Sequence, residues 1–378
     1  MPKFLHIADI HLDSPFSNSD AAHAAQRRNE QREVFLSAME YAKANGIDAI
    51  LIAGDLFDTK FITSKTANML KDAFESAGDC QIFISPGNHD PFCDGSIYSS
   101  ANFPKNVHIF KSENVEKISL DRLGVDIYGY AFESESLDHS PIASLTGVDR
   151  EKINILVAHG DIFSSISHYA PITKNDIANS KLDYVALGHI HNTDEKIENA
   201  NGTYYSYSGA IEGRSFDECG VRGGILIDIQ NTANGKKIAF EKLRFSKRRY
   251  EKDTLDISGI SNEGELVSKI KTLCDAKGYS GDTLLRLELI GNVPETFDLS
   301  HINLDASLFD LFYLETVNSA MPDFDYERLT KDPTIKGEIF RLFKDKLECG
   351  GKDERRLYLL ALRYALLSLE GEDLPDIL

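Results

Sequence analysis

Short apolar runs of strand length alternate along the chain with clusters of polar residues. Residues 49–53 (AILIA) are apolar at every position, as in a strand that is buried on both faces of a sheet. Gly54 permits a tight turn, and Asp55 and Asp58 follow at the carboxyl end, where ligands bind in open α/β sheets. Four further segments repeat this order: KFLHIADIH, QIFISPGNHD, INILVAHGD and LDYVALGHIH. The five segments predict one shared site.

The first part of the chain alternates predicted strands and helices. Strands are expected at residues 4–8, 49–53 and 81–85, with amphipathic helices at 33–45 and 64–76 between them. This order is typical of a parallel sheet with right-handed crossovers. After residue 105, predicted strands follow one another with short connections and few helices. We therefore expect an α/β fold in which a second sheet packs on the first and helices flank both, an α/β/β/α sandwich.

The polar clusters become rarer beyond residue 250. A helix at 263–276 and a strand at 283–290 predict a small α+β domain there. A final helix at 354–369 is apolar on more than one face, so it either packs within the chain or meets a partner helix. The expected parts are a large domain at 1–249, a small α+β domain at 250–330 and a C-terminal helical segment at 331–378.

Composition narrows the class of protein. The 378 residues are 42% hydrophobic and 27% charged, which is ordinary for a soluble globular chain. No apolar run approaches the roughly 20 residues that cross a bilayer, and the early strand at 4–8 leaves no room for a signal peptide. The five cysteines are widely spaced and form no CxxC pair. We expect a cytoplasmic protein with no membrane partner and no disulfide framework.

The charge of the chain bears on its partners. A formal net charge of −19 disfavours binding of nucleic acid through bulk charge, although bound divalent cations and local basic patches supply positive charge. One basic patch comprises Lys236, Lys237, Lys242, Arg244, Lys247, Arg248, Arg249 and Lys252. It is either a solvated strand edge protected by lysines or a contact for a phosphate backbone, with Arg248 and Arg249 as candidate nucleic-acid-binding residues.

The polar ends of the five segments contain seven candidate metal ligands: Asp9, His11, Asp55, Asn88, His159, His189 and His191. Carboxylate, imidazole and amide donors without sulfur suit divalent ions such as Mn²⁺, Fe²⁺ or Zn²⁺. Seven donors exceed the needs of one catalytic ion, so we expect two ions with Asp55 as the bridging carboxylate. Two ions about 3.5–4 Å apart are a known arrangement for in-line displacement at phosphorus.

The spaced motif D-x-H, G-D-x-x-D, G-N-H-D, H and G-H-x-H resembles the signature of the calcineurin-like metallophosphoesterase superfamily. The resemblance runs from Asp9 to His191 and implies a metallophosphoesterase sandwich. It implies one ion held by Asp9, His11, Asp55 and His191, and a second held by Asp55, Asn88, His159 and His189. It also implies that His89 stabilises the phosphate and protonates the leaving oxygen, and that Asp58 orients His89.

Three further features are similar to the SbcD-type and YhaO-type DNA repair exonucleases. They are the opening KFLHIADIHLDSPF, the segment YSGAIEGRSFDECG at 207–220, and the order of the domains. This resemblance implies a DNA exonuclease or endonuclease that acts in DNA repair and uses Mn²⁺, with Fe²⁺, Zn²⁺ or Mg²⁺ as other possible ions. It also implies a capping domain that helps to hold DNA, a homodimer, and docking of the C-terminal helices on an SbcC-like coiled-coil ATPase.

Two other functions stay open at this point. A small-molecule phosphodiesterase or phosphoprotein phosphatase of the same superfamily would use the same ligands on another substrate. A non-catalytic scaffold for an ATPase partner is disfavoured by the complete set of seven ligands.

Overall fold

The computed structural model describes residues 2–370, apart from 17–20, 59–61, 194–195, 233–234, 295–296, 298, 300–301, 324 and 350. The chain divides into two compact units, Met1–Tyr250 and Glu251–Leu378. The predicted subdivision of the second part into a capping domain and a C-terminal segment stays a prediction, and residues 371–378 of that segment lie outside the described residues.

Two six-stranded sheets form the first unit. Its strands are β1 (Lys3–Ile7), β2 (Ala49–Ile52), β3 (Gln81–Ile84), β4 (Val107–Ile109), β5 (Glu116–Leu120), β6 (Val125–Gly129), β7 (Ile153–His159), β8 (Tyr184–Gly188), β9 (Glu198–Ala200), β10 (Thr203–Tyr207), β11 (Gly223–Thr232) and β12 (Gly235–Arg244). The first sheet has the order β12-β11-β1-β2-β3-β4, and the second has the order β5-β6-β7-β8-β10-β9. In the first sheet β1 to β4 are parallel, whereas β11 and β12 are antiparallel additions.

Alternation along the central strands fills both faces of the first sheet. Leu5 and Ile50 belong to the core on one face, with the helices α1 (Ala21–Ala44) and α2 (Ser64–Ser76). Phe4 and Leu51 belong to the core shared with Ile155 and other residues of the second sheet. The far face of the second sheet has its own core, which includes Ile177 of α4 (Lys174–Ser180). The short helix α3 (Ile97–Ser100) follows β3. The predicted α/β/β/α sandwich is confirmed.

Helix α1 begins twelve residues before the predicted start at residue 33. The first half of this helix buries Arg27, Glu30 and Gln31 as well as Ala24, so its inward face is largely polar. A search for apolar residues at helical spacing does not find such a face. The charged groups are tolerated because they pair with each other: Arg27 lies in ion pairs with Glu30 and Glu212.

The second unit is an α+β fold. Its elements are β13 (Arg249–Asp256), α5 (Glu263–Lys277), β14 (Thr283–Ile290), β15 (Asn292–Pro294), β16 (Tyr313–Asn318), β17 (Met321–Asp323), α6 (Tyr326–Lys331), α7 (Ile335–Cys349) and α8 (Lys352–Glu370). Strands β13, β14 and β16 form a three-stranded sheet, and β15 pairs with β17. Phe340 of α7 and Leu362 of α8 share a small core. Leu342 and Leu357 on the same two helices stay exposed.

The structure bears on two expectations from the sequence, the lack of membrane-spanning segments and the lack of a disulfide framework. Within the part of the chain that is described, no helix combines the length and the apolar character needed to cross a bilayer. All five cysteines are free thiols.

Candidate active site

Five strand ends of the first unit carry the seven predicted ligands. Asp9 and His11 follow β1, Asp55 follows β2, Asn88 follows β3, His159 ends β7, and His189 and His191 follow β8. Backbone hydrogen bonds hold the loops after β1 and β2 side by side. The amide of Asp9 donates to the carbonyl of Gly54 over 3.1 Å, and the amide of His11 donates to that of Asp55 over 2.9 Å.

Backbone strain is concentrated at these loops. Asp9, His11 and Asp55 have φ angles of 49°, 48° and 50°, and His189 has a φ of 106°. Residues other than glycine rarely adopt a positive φ, and each such residue costs about 1–3 kcal/mol of stability. The ligands brace one another: the amide of His189 donates to Asp9 Oδ1 over 3.0 Å, and the amide of His89 donates to Asp55 Oδ1 over 3.0 Å. Strained positions that are held in this way are typical of functional sites.

His159 is seated directly over Gly54. A Cβ atom at Gly54 would lie 2.1 Å from Nδ1 of His159, so the contact requires glycine there. Nδ1 of His159 lies 3.0 Å from the carbonyl oxygen of Ala53, which only accepts, so this nitrogen carries the proton. The unprotonated Nε2 then faces Oδ1 of Asn88 at 2.9 Å and Oδ2 of Asp55 at 3.5 Å.

His11 and His191 face each other on the other side of Asp55. Their Nε2 atoms are 3.2 Å apart, and Nε2 of His11 lies 3.7 Å from Oδ2 of Asp55. Two imidazole nitrogens that bind one ion through bonds of about 2.1 Å are separated by about 3 Å. Nδ1 of His11 lies 3.0 Å from Oδ1 of Asp58, although without the alignment of a hydrogen bond. The donors therefore fit a shared cation.

The electrostatics of the site also suit cations. Burial raises the pKa of Asp9 to about 6, and burial together with the charges of Asp90 and Asp9 raises the pKa of Asp55 well above its usual range. Burial lowers the pKa of His11 to about 3 and that of His159 far below its usual range, so both imidazoles are neutral. Neutral imidazole is the form of histidine that binds divalent metals, and a cation between the crowded carboxylates would offset the repulsion and burial that raise their pKa values. Three groups of donors lie within 4.8 Å: Asp9–His11–His191, Asp9–Asp55–His159 and His11–Asp58–His89.

The family model of the calcineurin-like phosphoesterases matches residues 2–193, which include all five segments. The chain belongs to the calcineurin-like phosphoesterase family. The predicted superfamily is therefore confirmed. Members of this family are metal-dependent phosphoester hydrolases, and the donor groups described above are the chain's candidates for the two-ion site of the family.

Three relatives illustrate where this calcineurin-like phosphoesterase lies within the family. The chain is 30% identical over 303 residues to the uncharacterized metallophosphoesterase YhaO of Bacillus subtilis, covering 77% of this chain and 72% of that protein. It is 24% identical over 260 residues to one of the subunits of the nuclease SbcCD of Staphylococcus epidermidis, covering 61% and 66%. It is 23% identical over 355 residues to the DNA double-strand break repair protein Mre11 of Thermoplasma acidophilum, covering 88% and 84%.

His89 lies at the exposed side of the phosphoesterase site. Its side chain is 44% exposed, and its ring meets that of His11 edge-on with centroids 4.9 Å apart. Nδ1 of His89 lies 3.9 Å from Oδ1 of Asp58, beyond hydrogen-bond distance. Asp58 lies closer to His11 and to Arg214, whose Nη1 donates to its Oδ1 over 3.0 Å. The predicted orientation of His89 by Asp58 stays a prediction.

Hydrogen bonds to the buried carboxylate of Asp90 fix the loop that carries Asn88 and His89. Oδ1 of Asp90 accepts from the amide of Gly87 over 2.8 Å, and its Oδ2 accepts from the hydroxyl of Tyr98 over 2.6 Å. Oδ2 also accepts from the amide of Phe57 over 3.1 Å, which joins this loop to the one after β2. Asp90 thus fixes the spacing between neighbouring ligand loops.

The contacts described for the candidate nucleic-acid-binding residues Arg248 and Arg249 involve none of the seven candidate metal ligands. Arg248 is 13% exposed, and its Nη2 donates to Oε1 of Glu30 over 2.7 Å. Arg249 is half-buried at the start of β13. The geometry thus gives Arg248 a structural contact with α1, and the nucleic-acid-binding role of both arginines stays a prediction. The rest of the basic patch begins on β12, an edge strand of the first sheet.

Arg214 and Glu218 lie behind the candidate ligands but are not marked as site residues by the sequence motifs. Oε1 of Glu218 lies 2.7 Å from Nδ1 of His191, and Arg214 reaches both Glu218 and Asp58. Both residues fall in the segment 207–220 that the sequence marked by resemblance alone. Their neighbours in space are distant in sequence, so no local spacing indicates their roles.

Proposed function

We propose that the chain is a metal-dependent DNA nuclease that acts in DNA repair through two-metal-ion hydrolysis. The observation that carries the proposal is the similarity to a nuclease subunit and to a double-strand break repair protein. These alignments cover 260 and 355 residues and so continue past the family model, which ends at residue 193. The catalytic family alone is compatible with many phosphoesters, whereas the longer similarity favours DNA.

Each residue of the site receives a role. One ion would be held by Asp9, His11, Asp55 and His191, and the other by Asp55, Asn88, His159 and His189. We favour Mn²⁺, with Fe²⁺, Zn²⁺ or Mg²⁺ as alternatives. When bound, such ions activate water and offset the charge that develops on the phosphate. His89 faces the phosphate from the exposed side and protonates the leaving oxygen, and Asp58 orients it through its charge from 3.9 Å away.

Exposed aromatic side chains of residues 163–169, one of them beside His189, support a nucleic-acid substrate. The ring of Tyr169 lies with its centroid 4.7 Å from that of His189, and Tyr169 is 38% exposed. Phe163 is 71% exposed and stacks on Tyr207 at an interplanar angle of 18°. Exposed aromatic faces stack with unpaired bases at about 1–3 kcal/mol per base. This rim favours a frayed or single-stranded DNA end over a small phosphate ester.

The partners follow the same proposal. We assign residues 250–330 the role of a cap that helps to hold DNA. The exposed Leu342 and Leu357 on α7 and α8 suit a partner helix, for which we propose the coiled coil of an SbcC-like ATPase. A homodimer and a cytoplasmic location belong to the proposal as predictions. Because the net charge is −19, the chain as a whole repels phosphate. The bound ions and the exposed basic residues of β12 would then supply most of the attraction for the DNA backbone.

The test is incubation of the full chain and Mn²⁺ with end-labelled single- and double-stranded DNA, beside a chromogenic phosphodiester. We expect degradation of DNA that falls by about 10²–10⁴-fold in His89→Ala, because the general acid is removed. His139→Ala, which removes an exposed histidine of the same unit, should retain activity. Turnover of the phosphodiester with intact DNA would instead identify a small-molecule phosphodiesterase.

A further inference from the structure

A layer of three charged side chains, Arg214, Glu218 and Arg222, lies against His191, and the hydrolysis proposed above gives it no role. We propose that Glu218 is a positioning residue that holds the proton of His191 on Nδ1, so that Nε2 faces the metal site as a ligand. Arg214 completes this layer by joining Glu218 to Asp58. The proposal concerns metal binding and does not depend on the choice of DNA as substrate.

Both carboxylate oxygens of Glu218 are engaged. Oε1 lies 2.7 Å from Nδ1 of His191, and Oε2 accepts from the backbone amide of Arg214 over 2.7 Å. The side chain is 8% exposed, so water does not compete freely for these contacts. The carboxylate is therefore fixed in orientation as well as in position.

The contact determines which nitrogen of His191 carries the proton. Two groups compete for Nδ1 of His191: Oε1 of Glu218 at 2.7 Å, which only accepts, and Nη2 of Arg214 at 3.2 Å, which only donates. The contact with Glu218 is the shorter, so we assign the hydrogen of the neutral ring to Nδ1 and the lone pair to Nε2. Nε2 of His191 then faces Nε2 of His11 at 3.2 Å, where the two nitrogens converge. A metal-binding histidine commonly donates its other N–H to a carboxylate, which fixes the ring and makes it a better ligand.

Arg214 connects the carboxylates behind the two converging imidazoles. Its Nη1 donates to Oδ1 of Asp58 over 3.0 Å, and its Nη2 lies 3.5 Å from Oε1 of Glu218. Asp58 stands behind His11 as Glu218 stands behind His191, at 3.0 Å and 2.7 Å from the respective Nδ1 atoms. One guanidinium thus lies between two carboxylates that would otherwise repel each other.

Arg222 fastens the layer to the loop that carries His191. Its Nε donates to the carbonyl of Glu218 over 2.8 Å, and its Nη2 donates to Oδ1 of Asn192 over 2.9 Å. Its Nη1 donates to the carbonyl of His191 itself. Arg222 is buried, so these hydrogen bonds join the segment to the ligand loop with little access for water.

The first experiment measures Mn²⁺ binding to the full chain by calorimetry and by electron paramagnetic resonance. Glu218→Ala should weaken one of the two ions by about 10–100-fold, because His191 loses its fixed orientation. Glu218→Gln keeps an amide oxygen that accepts from Nδ1, so its affinity should lie within about 10-fold of wild type. Asp217→Asn, at an exposed carboxylate one residue away, should bind both ions normally. Unchanged binding in Glu218→Ala would overturn the proposal.

The second experiment needs no metal, and its first part uses the wild type alone. Nitrogen-15 spectra of histidine side chains in the metal-free wild type should show His191 as a single tautomer protonated on Nδ1. Protonation on Nε2 would overturn the proposal even if Glu218→Ala failed to fold. In a folded Glu218→Ala protein we expect a mixture of tautomers, whereas an unchanged single tautomer would show that Glu218 has only a structural role.

Discussion

The two units of the chain bury different kinds of side chain. The first unit buries carboxylates and imidazoles, among them Asp9, Asp55 and His159. The second unit, over its described residues, buries no carboxylate, imidazole, guanidinium or ammonium group, and its core is built from residues such as Leu285 and Phe309. Buried charge costs stability unless it is paired or bound to metal. The first unit therefore holds buried ionisable groups that cost stability in the absence of a partner or a metal, whereas the described core of the second unit is stabilised by apolar burial.

Asp55→Asn should break this contrast most strongly. Asp55 is the proposed shared ligand of both ions, so phosphodiester hydrolysis should fall by at least about 10²–10³-fold. Without metal, the same change removes one of several crowded carboxylates. The free energy of unfolding should therefore rise by about 1–2 kcal/mol. Thermal melts with EDTA and with Mn²⁺ check both signs. A variant that is less stable in EDTA would contradict the idea that the carboxylates repel one another.

Leu285→Ala makes the matching change in the apolar core of the second unit. Leu285 is fully buried among apolar neighbours, so the free energy of unfolding should fall by about 2–5 kcal/mol. Because this residue has no part in the donor groups, the folded variant should bind Mn²⁺ with unchanged affinity. Denaturant unfolding and metal titration measure the two quantities. Loss of an ion in the folded variant would show that the apolar core of the second unit also affects metal binding, contrary to this expectation.

His6 gives a smaller effect that separates burial from metal binding. Its Nδ1 lies 3.0 Å from the hydroxyl of Tyr184 and its Nε2 lies 3.1 Å from the carbonyl of Leu187, so it links β1 to the second sheet. Burial lowers the pKa of His6 to about 3. The unfolded chain takes up the proton near pH 6.5 and the folded chain only near pH 3, so His6 makes stability fall as the pH falls through this window.

The variant His6→Phe should therefore flatten the acid limb of the stability curve. Its free energy of unfolding, followed from about pH 6.5 to pH 5, should fall by about 2 kcal/mol less than that of the wild type. Denaturant titrations at several pH values measure the difference in slope, whatever the variant costs at neutral pH. Parallel curves would show that His6 does not titrate on unfolding in this range.

The sequence predicts where the loops of the candidate ligands begin because each follows a strand end that is marked by its own apolar run. Asp55 after β2 and His159 at the end of β7 are examples: the buried strand and the polar residue lie next to each other in sequence. Parallel strands bring such ends to one edge within each sheet. The packing of the two sheets then brings their two edges together, as the predicted sandwich requires.

The parts that could not be predicted depend on contacts between distant residues. The first half of α1 has a polar inward face because Arg27 pairs with Glu212, which is 185 residues away. Glu218 takes its place from His191 and Arg222, and no periodicity marks it. The basic patch is a further example. The number of positive charges in the sequence does not indicate that Arg248 forms an ion pair with Glu30, which is distant in sequence.

The most direct measurement of the central claim is anomalous diffraction from a crystal of the full chain soaked in Mn²⁺. We predict two peaks in the first unit. One should lie between His11 and His191, the other between Asn88 and His159, with Asp55 touching both. A single peak, or ions bound away from these donors, would contradict the claim that the seven ligands close around a pair of cations.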